Sequence, residues 1–286
     1  MSVRKRFLPP GWYPSDKESV AEAIRTMSRK FPALSTTSGV AGVVPHAGWE
    51  FSGSLALEVM SCLSRSIDTI VIIGGHLGPA DGILCAMEDF YDTPLGTMPA
   101  DAGLLNALAG SVRIGEDRCA DNSVEVQLPF AKYLFPDARV LGLRASPSAD
   151  AVRLGAAIAR AGRETGRRIA VVGSTDLTHY GSNYGFSPAG QGERARAWVR
   201  EVNDRRFLDA LVSMDCASIL DLATRERSAC SAGGALCAVS FGREMGVHEG
   251  RLLRYMTSYE VHPAESFVGY AGVLYSPLDT AKSPPK

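Results

Sequence analysis

Three short, largely apolar runs each lead into a segment that contains a histidine. They span residues 39–44, 69–73 and 168–172. Runs of this length and composition are typical of strands buried in a sheet, and Pro45 cannot extend the first because it lacks the amide that a ladder needs. His46, His76 and His179 therefore follow the carboxyl ends of three predicted strands. Open α/β sheets bind ligands at that edge, so the pattern predicts both a sheet and a site.

Segments with helical periodicity alternate with the strands. The predicted helices span 15–29, 52–64, 101–109, 123–135, 150–166, 191–214, 217–224 and 230–245, and further strands span 82–86, 139–143, 251–259 and 267–275. Ser15 and Glu18 match a capping box at the first helix, whereas Pro129 would normally interrupt the fourth. We predict one three-layer α/β/α domain over residues 1–286 with a central mixed, largely parallel sheet, a core at 12–275 and a tail at 276–286.

The composition argues against several classes of protein. A formal net charge of −1 with scattered basic residues gives no electrostatic footprint for nucleic acid. The apolar runs are too short to span a bilayer, and no apolar region follows the basic N-terminal residues as it does in a secretory signal. Six cysteines without a CxxC pair or a framework spacing indicate reduced thiols in a cytoplasmic protein.

The first two histidines are candidate metal ligands. Two neutral imidazoles on converging loops can bind one zinc, copper, nickel or iron ion. Alternatively, His46 and His76 each hydrogen-bond a loop carbonyl and stiffen a turn. Their matching positions after two strands leave these interpretations evenly balanced.

Asp176 and His179 form a second candidate pair. A carboxylate near an imidazole can fix its tautomer and raise its basicity, which suits a general base. The alternative, which the spacing alone favours somewhat, is an Asx turn in which Asp176 binds backbone amides. Glu125 is either a further anion at the site or, as we expect, a solvated helical residue, and the sequence assigns no role to His262.

Cys230 precedes a predicted helix. The free amides and dipole of a helix N-terminus stabilise a thiolate, which can serve as a ligand or a nucleophile. Most free cysteines are instead buried as small hydrophobic residues. We expect that role for Cys62, Cys85, Cys216 and Cys237.

An ordered set of motifs runs through nearly the whole chain. It comprises Trp-Tyr-Pro at 12–14, Pro-His-Ala-Gly at 45–48, Gly-His at 75–76, Asn-Ser-Val-Glu at 122–125, Leu-Pro-Phe at 128–130, Ser-Thr-Asp-Leu-Thr-His-Tyr-Gly at 174–181, and Cys230. The set resembles the Memo family, whose fold resembles that of the class III extradiol dioxygenases. Two departures are Asn122, where family members often carry histidine, and the Cys-Ser-Ala-Gly-Gly sequence that starts at Cys230.

The resemblance implies a site as well as a fold. His46, His76 and Cys230 would bind a metal ion, while Asp176 and His179 would line the same pocket, with His179 matching the acid/base histidine of the dioxygenases. Two imidazoles and one anion leave coordination positions open, as the two-histidine, one-carboxylate iron site does. Sulfur, however, moves the preference toward Cu(I), zinc or thiolate-bound iron, and it is easily oxidised.

Several functions follow from such a site. We predict an iron-dependent, dioxygenase-like oxidoreductase that acts on an unidentified small molecule. The alternatives are a copper- or iron-binding protein without turnover, a module that binds a peptide or protein partner, and a zinc hydrolase with Asp176 or Glu125 as base.

Overall fold

The computed structural model describes residues 1–31 and 38–277. The predicted tail beyond Pro277 and the connection at 32–37 lie outside these residues. Within them, no helix combines the length and the hydrophobicity needed to span a membrane.

Nine of the strands form one mixed sheet, as predicted, and β1, β5 and β6 form a small separate one. The strands are β1 (Val3–Arg4), β2 (Ala41–Val44), β3 (Thr69–Gly74), β4 (Ile83–Cys85), β5 (Phe90–Tyr91), β6 (Met98–Pro99), β7 (Ile114–Glu116), β8 (Arg139–Ala145), β9 (Ile169–Ser174), β10 (His179–Tyr180), β11 (Arg251–Thr257) and β12 (Phe267–Tyr275). The large sheet has the order β10-β12-β2-β9-β3-β8-β4-β7, and β11 pairs with β12. Its centre, β2-β9-β3-β8, is parallel, so the loops that follow these four strands share one edge.

The helices cover both faces of the large sheet. They are α1 (Lys17–Ser28), α2 (Ser54–Ser61), α3 (Ala102–Leu108), α4 (Asn122–Glu125), α5 (Leu128–Leu134), α6 (Ala149–Thr165), α7 (Gly192–Trp198), α8 (Asp204–Val212), α9 (Cys216–Arg225) and α10 (Ala232–Glu244). One apolar core lies between the sheet and α3, α6, α8, α9 and α10, and a second between the sheet and α1, α2 and α5. The predicted three-layer α/β/α architecture is confirmed.

Two predictions about helix ends were wrong. Asp16, not Ser15, caps α1, because its carboxylate accepts the amide of Ser19 at 2.9 Å. The helix predicted at 123–135 is two helices, α4 and α5, and Pro129 lies in the first turn of α5. Proline is tolerated there because the first amides of a helix have no partner within the helix.

Candidate metal centre

The structure brings three candidate metal ligands together at the carboxyl edge of the parallel strands. His46 follows β2, His76 follows β3, and Cys230 lies two residues before α10. One nitrogen of each ring and the cysteine sulfur lie within 4.8 Å of one another. The strand order explains this convergence, because β9 alone separates β2 from β3 and its own following residues enter the same site.

His46 is buried and fixed through its backbone as well as its ring. Its amide donates to Asp176 Oδ1 at 2.7 Å, and its carbonyl accepts Asn122 Nδ2 at 3.1 Å. On the ring, Nε2 lies 3.2 Å from Cys230 Sγ and 3.9 Å from Asp176 Oδ2. The ring is therefore held facing both the thiol and a carboxylate.

His76 is oriented by Asp121, a residue that the sequence analysis missed. Its Nδ1 lies 3.1 Å from Asp121 Oδ2, and the hydrogen bonds to Asp121 and then to Cys230 raise the pKa of His76 to about 9. Burial alone would raise the pKa of Asp121, but hydrogen bonds from His76 and Ser123 outweigh it and hold that pKa well below its usual range. When Nδ1 carries the proton that Asp121 accepts, Nε2 is the ring nitrogen of His76 that can bind a metal ion. The only sequence signal for Asp121 was its place immediately before α4.

The distance between two of the three candidate donors fits a shared metal ion. Bonds to sulfur and imidazole nitrogen of about 2.3 and 2.1 Å, at angles from about 90° to about 109°, place the two donors about 3.1–3.6 Å apart. The 3.2 Å between Cys230 Sγ and His46 Nε2 falls within that interval. The carboxylate that orients His76 is the partner that metal-binding imidazoles usually have.

His179 lines one cavity together with His46 and His76, and it is not hydrogen-bonded to Asp176, the partner that one of the two sequence interpretations gave it. Its Nδ1 donates instead to the Leu177 carbonyl at 3.2 Å, which leaves Nε2 as the proton acceptor. Burial lowers the pKa of His179, although the charge of Asp176 opposes this shift. Tyr184 packs edge-on against the ring, with centroids 4.9 Å apart. His179 is thus a neutral base at neutral pH.

Asp204 supports the loop that carries Asp176 and His179. It is fully buried, and its Oδ1 accepts the amide and the hydroxyl of Thr178 at 3.1 and 2.5 Å. Its Oδ2 accepts the Tyr255 hydroxyl at 2.8 Å. The middle of the loop is therefore fixed from inside the protein, by a residue that the sequence analysis did not identify.

The burial of Asp204 makes the stability of the protein depend on pH. Burial raises the pKa of Asp204 to about 7, although hydrogen bonds from Thr178 and Tyr255 favour its ionised form. Because an unfolded aspartate titrates near pH 4, the native state alone keeps this proton between about pH 4 and pH 7. The contribution of this group to the free energy of unfolding is complete below that window and falls by about 1.4 kcal/mol per pH unit as the pH rises through it.

We expect Asp204→Asn to flatten this dependence, since asparagine fills the site without an ionisable group. Urea unfolding at several pH values across the window measures the slope. Asp209→Asn, an exposed change on the same helix, is the control and is expected to retain the slope of the native protein. An unchanged slope in Asp204→Asn would contradict the assignment.

Other sequence predictions had mixed outcomes. The solvated position expected for Glu125 was wrong, because this buried carboxylate accepts the amides of Phe7 and Leu8 and the Tyr13 hydroxyl at 3.0, 3.1 and 2.7 Å. It anchors the N-terminal segment and does not line the cavity that His46, His76 and His179 line.

His262 does line that cavity. Cys62, Cys85 and Cys237 are buried as predicted, whereas Cys216 is only half-buried.

Comparison with known proteins supplies a family. A sequence profile described as "Memo-like protein" matches residues 8–274. A MEMO1 family protein of Thermococcus onnurineus is 32% identical over 295 residues, covering 96% of this chain and 99% of the relative. One from Pyrococcus abyssi is 30% identical, covering 96% and 97%. An uncharacterised Escherichia coli protein of known structure shares the fold, with a TM-score of 0.54, 12% identity, and 82% of this chain and 99% of that chain covered.

Proposed function

The chain belongs to the Memo-like family, and we propose that it binds one redox-active metal ion, iron, through His46, His76 and Cys230 and oxidises a small molecule. The observation that supports this function best is the convergence of the three side chains beside a cavity of about 670 Å³. A cavity of that size is typical of small-molecule sites.

The donor set is the argument for iron. Two imidazoles and one anionic sulfur carry the same charge as the two-histidine, one-carboxylate set of non-haem iron enzymes, and they leave coordination positions open. When bound, iron would supply one-electron chemistry and a Lewis acid. The sequence motifs imply a fold that resembles the extradiol dioxygenases, and this resemblance supports an oxidation that uses O2.

The chain's own residues would orient the site and move protons. Asp121 holds His76 Nδ1, so that Nε2 stays available as a ligand. His179 presents an unprotonated Nε2 to the cavity, because its Nδ1 proton is committed to the Leu177 carbonyl. A hydroxyl of a substrate bound in the cavity would give its proton to that nitrogen, which makes His179 the general base.

Copper binding without turnover is the second candidate. Thiolate is a soft ligand that favours Cu(I), and the short distance between Cys230 Sγ and His46 Nε2 is the observation on its side. In that case replacing His179 would have little effect on the affinity for copper. The structure weakens the case for a zinc hydrolase. Of the two candidate bases, Glu125 is hydrogen-bonded to the N-terminal segment, so only Asp176 remains.

Elemental analysis of anaerobically purified protein, followed by O2 uptake with a panel of catechols, tests the proposal. We expect one iron per chain and uptake with at least one substrate. His179→Ala should abolish uptake and keep the iron, whereas His248→Ala, at an exposed position, should change neither. Stoichiometric copper or zinc, or an iron-loaded protein without uptake, would contradict the iron enzyme.

A further inference from the structure

A buried asparagine joins two of the loops that supply the site. Asn203 is 1% exposed and ends a π-helical turn, Val199–Asn203, between α7 and α8. Its Nδ2 donates to Thr178 Oγ1 at 2.8 Å, in the loop after β9, and to the Glu226 carbonyl at 3.2 Å, in the loop before α10. Its Oδ1 accepts the Ser228 hydroxyl, also in the loop before α10, at 3.3 Å. Both N–H groups of the amide are therefore used, and none of its partners is a candidate metal ligand.

The π-helical turn places two consecutive side chains on the loop after β9. Such turns are rare within helices and occur frequently at functional sites. Asn203 donates to the Thr178 hydroxyl, and that hydroxyl donates to Asp204 Oδ1 at 2.5 Å. One hydroxyl can make both bonds, because it carries one proton and two lone pairs. Thr178 is thus fixed in the loop that carries Asp176 and His179.

The loop before α10 has a strained backbone where Asn203 binds it. Arg227 has a φ of 53°, in the left-handed region that residues with a Cβ avoid. The two groups that Asn203 binds in this loop, the Glu226 carbonyl and the Ser228 hydroxyl, lie on either side of Arg227. Residues in such conformations persist only where surrounding contacts hold them, and they cluster at functional sites. The hydrogen bonds of Asn203 are contacts of this kind.

Cys230 lies at the other end of the same loop. Its amide donates to the Asp176 carbonyl at 3.2 Å, and the Ser231 amide donates to Thr175 Oγ1 at 3.0 Å. These bonds hold the loop close to the sulfur, but a short segment that is fixed at one end can still rotate about that end. The bonds of Asn203 fix the other end. The two attachments together determine where the sulfur lies.

We propose that Asn203 is a positioning residue for the candidate metal centre, and that it sets the place of the Cys230 sulfur by holding the backbone on both sides of Arg227. Asn203 acts through the loop and not by contact with a metal ion. This inference rests on the proposed function in one respect, that Cys230 is a metal ligand. It needs neither iron nor O2, and the effect of Asn203 on the loop exists without any metal.

Asn203→Leu provides the main test, because it replaces the amide by an apolar group of the same branching and removes all three hydrogen bonds. Arg227 can then relax to an ordinary backbone conformation, and the sulfur moves. We expect the affinity for Cu(I), measured by anaerobic competition with a chromogenic chelator, to fall about tenfold, at the lower end of the cost of removing a group that orients a metal ligand. In the metal-free protein, hydrogen exchange followed by mass spectrometry should be faster across residues 226–231.

Ser228→Ala is the milder variant, since it removes one of the three hydrogen bonds and only one oxygen atom. It should change the affinity and the exchange in the same direction by a smaller amount, and it decides the matter if Asn203→Leu does not fold. Thr69→Val is the matched control, because it removes a buried hydrogen bond to Asp101 Oδ2, of 2.6 Å, at the end of β3 opposite to His76. Urea unfolding should show a loss of stability in this control, while its Cu(I) affinity and its exchange across residues 226–231 should equal those of the native protein.

Native Cu(I) affinity in the Asn203 and Ser228 variants would overturn the proposal, even if exchange became faster, because the loop would then not place a ligand. An equal loss of affinity in Thr69→Val would also overturn it, since the effect would follow from general stability. These outcomes are separate from those of the proposed function. Copper or zinc in the purified protein, or the absence of O2 uptake, contradicts the iron enzyme and leaves the expected effects of Asn203 unchanged.

Discussion

Cys230→Ser is expected to lower the affinity for iron or Cu(I) by about a hundredfold or more, since losing a group that only hydrogen-bonds a metal ligand already costs about 10–100-fold. Serine has nearly the shape of cysteine, but its hydroxyl stays protonated at neutral pH and is a poor ligand for a soft metal. The fold should survive, because Cys230 is only half-buried and its side-chain partners are the His46 and His76 rings and the Thr175 hydroxyl.

Anaerobic competition with a chromogenic chelator measures this affinity, and urea unfolding of the metal-free protein measures stability. The matched control is Cys119→Ser, because that thiol is exposed and outside the group of three metal-binding side chains. Its affinity should equal that of the native protein. If Cys230→Ser binds metal as tightly as Cys119→Ser does, the sulfur is not a ligand.

Gly234→Ala is expected to destabilise the protein by about 3 kcal/mol or more, at the upper end of the usual cost of overpacking. A Cβ at this position would overlap the Ile73 carbonyl oxygen of β3 and lie 3.1 Å from the Ser174 amide nitrogen of β9. Backbone atoms in the centre of a sheet cannot move aside as a side chain can, so α10 would have to shift. That shift would also carry Cys230 away from His46 and weaken metal binding.

Gly242→Ala is the matched control on the same helix. There the nearest atoms to a new Cβ are the terminal methyl group of Met214 at 3.2 Å and Tyr275 Cβ at 3.3 Å. The methionine can yield, and alanine has the better helix propensity by about 1 kcal/mol, so the stability should change by less than about 1 kcal/mol. Equal losses in the two variants, measured by urea unfolding, would show that backbone contact is not what makes Gly234 necessary.

Local patterns were enough to predict the sheet and to select two candidate metal ligands. The run before Pro45 and the run before the Gly74-Gly75 pair have strand composition, and proline and glycine end strands for reasons that lie within a few residues. Strands alternating with helices imply parallel pairing, and parallel pairing places the loops that follow the strands at one edge. His46 and His76 were therefore found without any knowledge of distant contacts. Cys230 was different, because position alone favoured a buried thiol and the family resemblance was what selected it.

Only the tertiary structure revealed which groups hold the site together. Asp121 orients His76, the Leu177 carbonyl is the hydrogen-bond partner of His179, and Asp204 fixes Thr178 from α8. Gly233 and Gly234 weaken α10 by propensity, but at both positions a Cβ would overlap a backbone carbonyl of the sheet, because the helix lies directly on the strands. Hydrogen bonding and close packing depend on which atoms meet in space, and residues far apart in the chain meet only after the sheet has set their positions. The sequence by itself determined the strands and which histidines follow their ends, and the packed fold decided how those side chains are oriented and charged.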